Sequence, residues 1–148
     1  MNQVRSCWGV LLNKAQEEVG RIQAELQQLR ERMLSLQASA QRLQQLHQDY
    51  LRPPQAGEVS TGMLETLNRR QFADQILVLI DRVERDKTQV EQITAQTRAR
   101  LLAAERERMK MQALVDQDAQ QVKAGTRLRE QRQLDEMGTM RFNLSGGV

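Results

Sequence analysis

Residues 8–50 read WGVLLNKAQEEVGRIQAELQQLRERMLSLQASAQRLQQLHQDY, and this stretch decides the fold. Alternate steps of four and three residues along it meet an apolar or aromatic side chain at every position except His47. The series consists of Trp8, Leu12, Ala15, Val19, Ile22, Leu26, Leu29, Met33, Leu36, Ala40, Leu43, His47 and Tyr50. This spacing is a heptad repeat with positions a and d filled, and it predicts a helix that packs along a second helix.

A break in the helical pattern follows at residues 51–62, which read LRPPQAGEVSTG. Pro53 and Pro54 are incompatible with a helix interior, because proline lacks the amide donor and clashes with the preceding turn. Ser60 or Thr61 is a candidate cap for a second helix, since a hydroxyl oxygen at that place can accept from a free backbone amide.

The second helical segment is longer and its apolar series is less regular. Its first members are Phe72, Ile76, Leu79, Val83, Asp86, Val90, Ile93 and Thr97. A further four-residue step to Leu101 shifts the phase, and such a stutter locally unwinds a supercoil. The series then runs through Ala104, Arg108, Met111, Val115, Asp118 and Val122.

Together the segments predict an all-α fold, a two-helix antiparallel coiled-coil hairpin with a longer C-terminal helix projecting beyond the pairing. We expect a single coiled-coil domain over residues 1–148. Its expected parts are helix 1 at about 4–51, a tip loop at 52–62, helix 2 at about 63–141 and a frayed tail at 142–148.

The expected register follows from the position of the turn. If the turn is centred near residue 57, paired residue numbers add to about 115. Leu43 then faces Phe72, and Leu29 lies close to Asp86. Residues from 111 onward extend past Met1, so the C-terminal part of helix 2 is expected to project as a single helix.

Composition agrees with a narrow helical seam rather than a wide core. Only 39% of the 148 residues are hydrophobic and 3% are aromatic. The single Cys7 excludes an internal disulfide framework and indicates a reducing compartment. The longest apolar run, residues 76–80, is far shorter than the roughly 20 residues that cross a bilayer. These features predict a soluble cytoplasmic protein.

The sequence offers no chemistry for catalysis. It contains neither the phosphate-binding Gly-x-x-x-x-Gly-Lys motif nor Gly-x-Gly-x-x-Gly. One histidine and one cysteine do not supply the converging ligands of a metal site. We therefore predict that the chain is not an enzyme, takes no cofactor or metal, and has no small-molecule substrate.

Three stretches resemble the flagellar export protein FliJ family, and together they span nearly the whole chain. Leu43, Leu46 and Tyr50 match leucine and aromatic positions before that family's tip. The sequence RQFA at 70–73, with the spaced aliphatic residues after it, is similar to an aromatic-Gln-x-Phe segment. The most specific stretch is LREQRQLDEM at 128–137, which resembles an Arg-x-Glu-Gln-Lys-x-Leu-Asp-Glu pattern.

The resemblance implies a stalk and coupling protein of flagellar type III export. FliJ-type proteins resemble the two-helix stalk of a rotary ATPase, insert a terminal end into the hexameric export ATPase, couple it to an export-gate membrane protein and escort export chaperones. Such a protein would associate peripherally with the cytoplasmic face of the inner membrane at the flagellar base.

The resemblance also implies two sets of site residues. The export-gate set is expected to be Leu43, Leu46, Tyr50, Phe72, Ile76, Leu79 and Val83. The ATPase-ring set is expected to be Arg127, Arg129, Gln131, Arg132, Leu134, Asp135 and Glu136.

Three alternatives to this function remain open at the level of sequence. The first is the equivalent stalk of a type III injectisome, which has the same periodicity. The second is a basic coiled-coil adaptor for nucleic acid, given the basic residues between Arg98 and Lys110. No aromatic platform accompanies those residues, so nucleic-acid binding is not expected. The third is a self-assembling structural coiled coil.

Overall fold

Two helices make up the fold. A computed structural model describes residues 2–52 and 62–146, with side chains from Cys7 onward. Helix α1 spans Asn2–Leu51, with 50 residues, and helix α2 spans Met63–Ser145, with 83 residues. No strand occurs in the described part of the chain. The prediction of an all-α fold built from two helices is confirmed.

Helix α1 ends where the sequence predicts. Its last turn is extended by a hydrogen bond of 3.1 Å from the Arg52 amide to the Gln48 carbonyl. Pro53 follows directly, and a proline disfavours helical geometry in the residue before it. Pro53, Pro54 and the rest of the predicted break through residue 61 lie outside the described residues.

Helix α2 begins at a glycine. The Gly62 carbonyl accepts hydrogen bonds from the amides of Glu65 at 3.0 Å and Thr66 at 3.4 Å, which places Gly62 at the N-cap. Glycine is acceptable at an N-cap, although it has no side-chain oxygen to bind a free amide. The predicted caps, Ser60 and Thr61, lie outside the described residues.

The other end of α2 lies at Ser145, beyond the expected end at 141. The Gly146 amide donates to the Phe142 carbonyl at 2.8 Å, and the Ser145 hydroxyl donates to the same carbonyl at 3.0 Å. The expectation of a frayed tail from residue 142 is therefore wrong for 142–145. The helix continues to Ser145 because no proline interrupts it, and Gly146 follows directly after its end.

The chain forms two compact units. The first unit consists of Arg21–Leu102, and the second consists of Met1–Gly20 together with Ala103–Val148. In the first unit the two helices run antiparallel, because Tyr50 contacts Phe72 whereas Glu25 contacts Arg100.

The predicted seam of α1 is confirmed throughout. All thirteen members of the series from Trp8 to Tyr50 are buried or half-buried. Val19, Ile22 and Ala40 are the most enclosed, with 8%, 2% and 5% of their surface exposed. A strict heptad therefore identified the packed face of this helix correctly.

The predicted seam of α2 is correct at twelve of its fifteen positions, which are buried or half-buried. Ile76, Val90 and Thr97 are buried as expected. Phe72, Leu79 and Ile93 are instead exposed. One series of buried or half-buried positions runs Ala73, Ile76, Ile80, Val83, Lys87, Val90, Thr94, Thr97, Leu101, Ala104, Arg108, Met111, Val115, Asp118, Val122 and Gly125, and Asp86, Glu105, Gln112 and Leu114 beside it are also half-buried. This series alternates three and four without interruption, so the predicted stutter after Thr97 is wrong.

Small and amphipathic side chains explain the change of phase. Ala73 is 2% exposed, so a small apolar side chain occupies the seam next to the position where the larger Phe72 was expected. The Thr94 hydroxyl is satisfied by the Val90 carbonyl at 2.7 Å, so the residue can face the seam. Lys87 covers the seam with its aliphatic stem while its ammonium lies 3.5 Å from Glu84. A search for large apolar side chains overlooks Ala73, Thr94 and Lys87.

The register of the first unit also differs from expectation. The rings of Tyr50 and Phe72 lie 5.8 Å apart, and Arg100 Nη1 lies 3.0 Å from Glu25 Oε2. Paired residue numbers thus add to 122 and 125 rather than about 115. The pairings of Leu43 with Phe72 and of Leu29 with Asp86 are wrong. The reason is that residues 63–71 of α2 are all exposed, and the two helices meet at the stack of Phe72 on Tyr50, beyond these first turns.

In the second unit, α2 changes character at Gly125. Half-buried residues recur every three or four positions up to Gly125, and every residue from 126 to 146 is exposed. We call residues 126–146 the overhang; it is about 30 Å long at 1.5 Å per residue. The expected start at residue 111 was too early, because Met111, Val115 and Val122 are half-buried.

Two neighbouring substitutions test the packed face of α2. Ile76→Ala is expected to lower the free energy of unfolding by about 2–4 kcal/mol, because Ile76 is 4% exposed. Leu77→Ala, at a residue 47% exposed, should cost about 1 kcal/mol or less. Urea unfolding followed by circular dichroism measures both. Equal losses in the free energy of unfolding for the two variants would contradict the observation that Ile76, and not Leu77, lies on the packed face of α2.

Candidate binding surfaces

The described residues present two surfaces with exposed apolar or charged side chains. No group of three or more His, Cys, Asp or Glu side chains within them is arranged to hold a metal ion. Neither helix, over the residues described, has a stretch apolar and long enough to span a bilayer.

The first candidate surface is the tip patch, which we define as the seven residues of the expected export-gate set. Leu46, Phe72 and Leu79 are exposed, by 43%, 55% and 45%. Leu43, Tyr50 and Val83 are half-buried, and Ile76 is buried. Ile76 therefore supports the patch from below, and the three exposed residues form its accessible part.

An aromatic stack joins the two helices at this patch. The rings of Tyr50 and Phe72 are nearly parallel, with an angle of 9° between their planes. A stacked pair adds about 0.5–1.5 kcal/mol beyond the area it buries. The stack therefore holds the Phe72 ring in place while leaving much of it open to a partner.

Further exposed apolar residues beside the tip patch were missed by sequence reasoning. Leu64, Leu67 and Val78 on α2 are 73%, 53% and 69% exposed. They lie on α2 outside the observed seam. The signal that would have found them is the correct register, because that register leaves the first turns of α2 without a partner on α1. Clustered exposed apolar residues usually mark an interaction site.

The second candidate surface is the overhang, where all seven residues of the expected ATPase-ring set are exposed. The described residues provide no ion pair or hydrogen bond for the guanidinium groups of Arg127, Arg129 and Arg132. These charges are therefore available to a partner.

The overhang has two distinct faces. If the seam positions are continued past Gly125 in the same steps, they fall on Arg129, Arg132, Glu136, Thr139 and Asn143. All five are polar, so this face is not built to pack against an apolar helix. About a third of a turn around the helix lies an exposed apolar stripe formed by Leu134, Met137, Met140 and Leu144.

Comparison with known proteins agrees with these features. A family model described as "Flagellar FliJ protein" matches residues 9–147, which cover both helices almost completely. The chain belongs to the flagellar FliJ protein family. The match confirms the resemblance that the three sequence stretches indicated, and it includes both the tip patch and the overhang.

Membership of the FliJ family assigns the chain to flagellar protein export, a type III secretion process, and to a family of non-enzymatic components. It favours a flagellar role over the injectisome and nucleic-acid alternatives. Searches of curated proteins and of solved structures give no match to this chain.

Proposed function

We propose that this FliJ-family chain is the stalk of the flagellar export ATPase ring, that it couples the ring to the export-gate membrane protein, and that it escorts export chaperones. The observation that carries the proposal is the overhang, a helical end with every residue exposed and with unpaired charges. An isolated helix of this length is marginal in water, so a partner that encloses it would add stability.

Insertion into a ring fits the chemistry of the overhang. The face that continues the seam presents Arg129, Arg132 and Glu136, which can pair with charges lining a pore. The apolar stripe beside it, including Leu134 and Met137, offers van der Waals contact with the wall. A helix in a pore is surrounded on all sides, and both faces are then used.

Coupling to the export gate is assigned to the tip patch. Support comes from Leu46, Phe72 and Leu79, which are apolar and exposed although they lie beside a packed seam. Aromatic side chains such as Phe72 often dominate binding energy at protein interfaces, because they bury a large rigid area. Gate binding would place the chain in the cytoplasm, peripherally at the membrane of the flagellar base.

Titration of the full chain into the purified export ATPase tests the proposal. The expected result is that the ATPase shifts from smaller species to hexamers and that its rate of ATP hydrolysis rises. Size-exclusion chromatography with light scattering measures the first effect, and phosphate release measures the second. A folded preparation that neither assembles nor stimulates the ATPase would contradict the stalk function.

A further inference from the structure

A groove runs along one flank of the first unit. Its volume is about 420 Å³, and Leu26, Leu29 and Met33 of α1 contribute its apolar lining. Leu34 also lines the groove and is 61% exposed, more than any other large hydrophobic residue among the α1 side chains that the structure describes. None of the lining residues belongs to the tip patch or the overhang.

The groove exists because α2 contributes small side chains at this level. Thr94 and Ala95 lie along the α2 side of the groove, opposite the leucines and methionine of α1. The Thr94 hydroxyl donates to the Val90 carbonyl at 2.7 Å, so its hydrogen is already used. Between its charged and amide side chains the lining therefore presents apolar surface, which suits the apolar side chains of a partner.

Two cations frame this apolar lining. Arg30 contributes from α1 and Arg98 from α2, and the carboxylate of Glu91 also lines the α2 side, so the charged lining is positive by one; all three residues are exposed. Within the described residues neither guanidinium has an ion-pair or hydrogen-bond partner. On a second groove of the same unit, by contrast, Arg100 pairs with Glu25 at 3.0 Å. Each groove is lined by two arginines and one glutamate, which are Arg30, Arg98 and Glu91 in the first and Arg32, Arg100 and Glu25 in the second. Within the described residues only the second groove joins two of its charges in an ion pair, so both cations of the first groove are available.

We propose that this groove binds an amphipathic α-helix of a partner protein, one that carries carboxylates beside its apolar face. Helices present apolar side chains at intervals of three and four residues, and these fit a channel between two antiparallel helices. The α1 lining extends from Leu26 to Gln37, about three helical turns. A carboxylate on each side of the partner's apolar face pairs with Arg30 and with Arg98.

The proposal is independent of the stalk function, and a designed peptide tests it. The probe is a stapled three-turn helical peptide with leucines on one face and glutamates on both flanks. Its companion has the same leucines and lysines in place of the glutamates. Binding of each labelled peptide to the full chain is followed by fluorescence anisotropy. We expect the glutamate peptide to bind at least about tenfold more tightly than the lysine peptide.

Variants of the full chain locate the binding to the groove. The double variant Arg30→Glu, Arg98→Glu is expected to reverse the preference between the two peptides. Leu34→Asp should weaken both peptides at least about tenfold, and its folding should be intact because the side chain is exposed. The matched controls are Arg42→Glu with Arg106→Glu, and Leu102→Asp at a residue 54% exposed. These controls should bind as the original chain does.

Three results would overturn the proposal. The first is equal binding of the two peptides by the original chain. The second is unchanged binding by groove variants whose circular dichroism spectra show them to be folded. The third is a molar mass that rises with protein concentration and returns to the monomer value in Leu34→Asp, because that result would assign the groove to a second copy of this chain.

Discussion

Reversing three charges on the overhang, by Arg127→Glu, Arg129→Glu and Arg132→Glu, is expected to abolish stimulation of the export ATPase. The three side chains are exposed and have no carboxylate partner within the described residues, so the change should leave the fold intact. We expect the affinity for the ATPase to fall at least about tenfold, which corresponds to about 1.4 kcal/mol. Phosphate release and analytical ultracentrifugation measure the two effects.

A matched variant controls for net charge. Arg32→Glu, Arg42→Glu and Arg106→Glu change the charge by the same amount at exposed positions outside the overhang. This control should stimulate the ATPase nearly as well as the original chain, especially at physiological salt, where distant charges are screened. An equal loss of ATPase stimulation in both variants would mean that the overall charge of the chain matters and that the overhang has no special role.

The second large effect is expected at the tip patch. Phe72→Ala should reduce export strongly while leaving helicity almost unchanged, because the side chain is 55% exposed and outside the observed seam. Loss of an aromatic anchor commonly costs 2 kcal/mol or more at an interface. We therefore expect the affinity of the chain for the detergent-purified gate protein to fall at least about tenfold. We also expect a deletion strain complemented with this variant to swim less well than one complemented with the original chain.

Leu79→Asp and Met109→Asp separate a surface role from a structural one. Both residues are exposed, by 45% and 59%, but Met109 lies outside the tip patch. Leu79→Asp should impair gate binding, and Met109→Asp should not. If Phe72→Ala or Leu79→Asp instead abolished the circular dichroism signal of the helices, the residue would be structural and the gate assignment would be wrong for it.

The two helices differ in how well their packing could be predicted. In α1, apolar residues occupy nearly all seam positions and few of their neighbours, so one phase stands out. In α2, apolar residues fall both on the seam, as at Ile80, and next to it, as at Leu79. A rule that favours large apolar residues chose Phe72 over Ala73, whereas packing against α1 favours the smaller side chain.

The sequence predicted the exposed residues of the candidate sites to different degrees, because the sites depend to different degrees on how the two helices pack. The exposure of the overhang follows from the unequal lengths of the helices, and only its first residue was misplaced. The accessible part of the tip patch depends on the register, so the burial of Ile76 and the exposure of Leu64 became visible only with the packed helices. The groove beside Arg30 and Arg98 is formed by both helices together, and neither sequence segment predicts it alone.

Site-specific photo-crosslinking in the reconstituted ATPase complex tests the central claim most directly. A photoreactive residue is placed at Gln131 in the overhang or at Gln45 near the tip patch, both exposed. The account predicts that Gln131 crosslinks efficiently to the ATPase in the assembled hexamer and that Gln45 does not. Crosslinking from Gln45 without crosslinking from Gln131 would contradict insertion of the overhang into the ring.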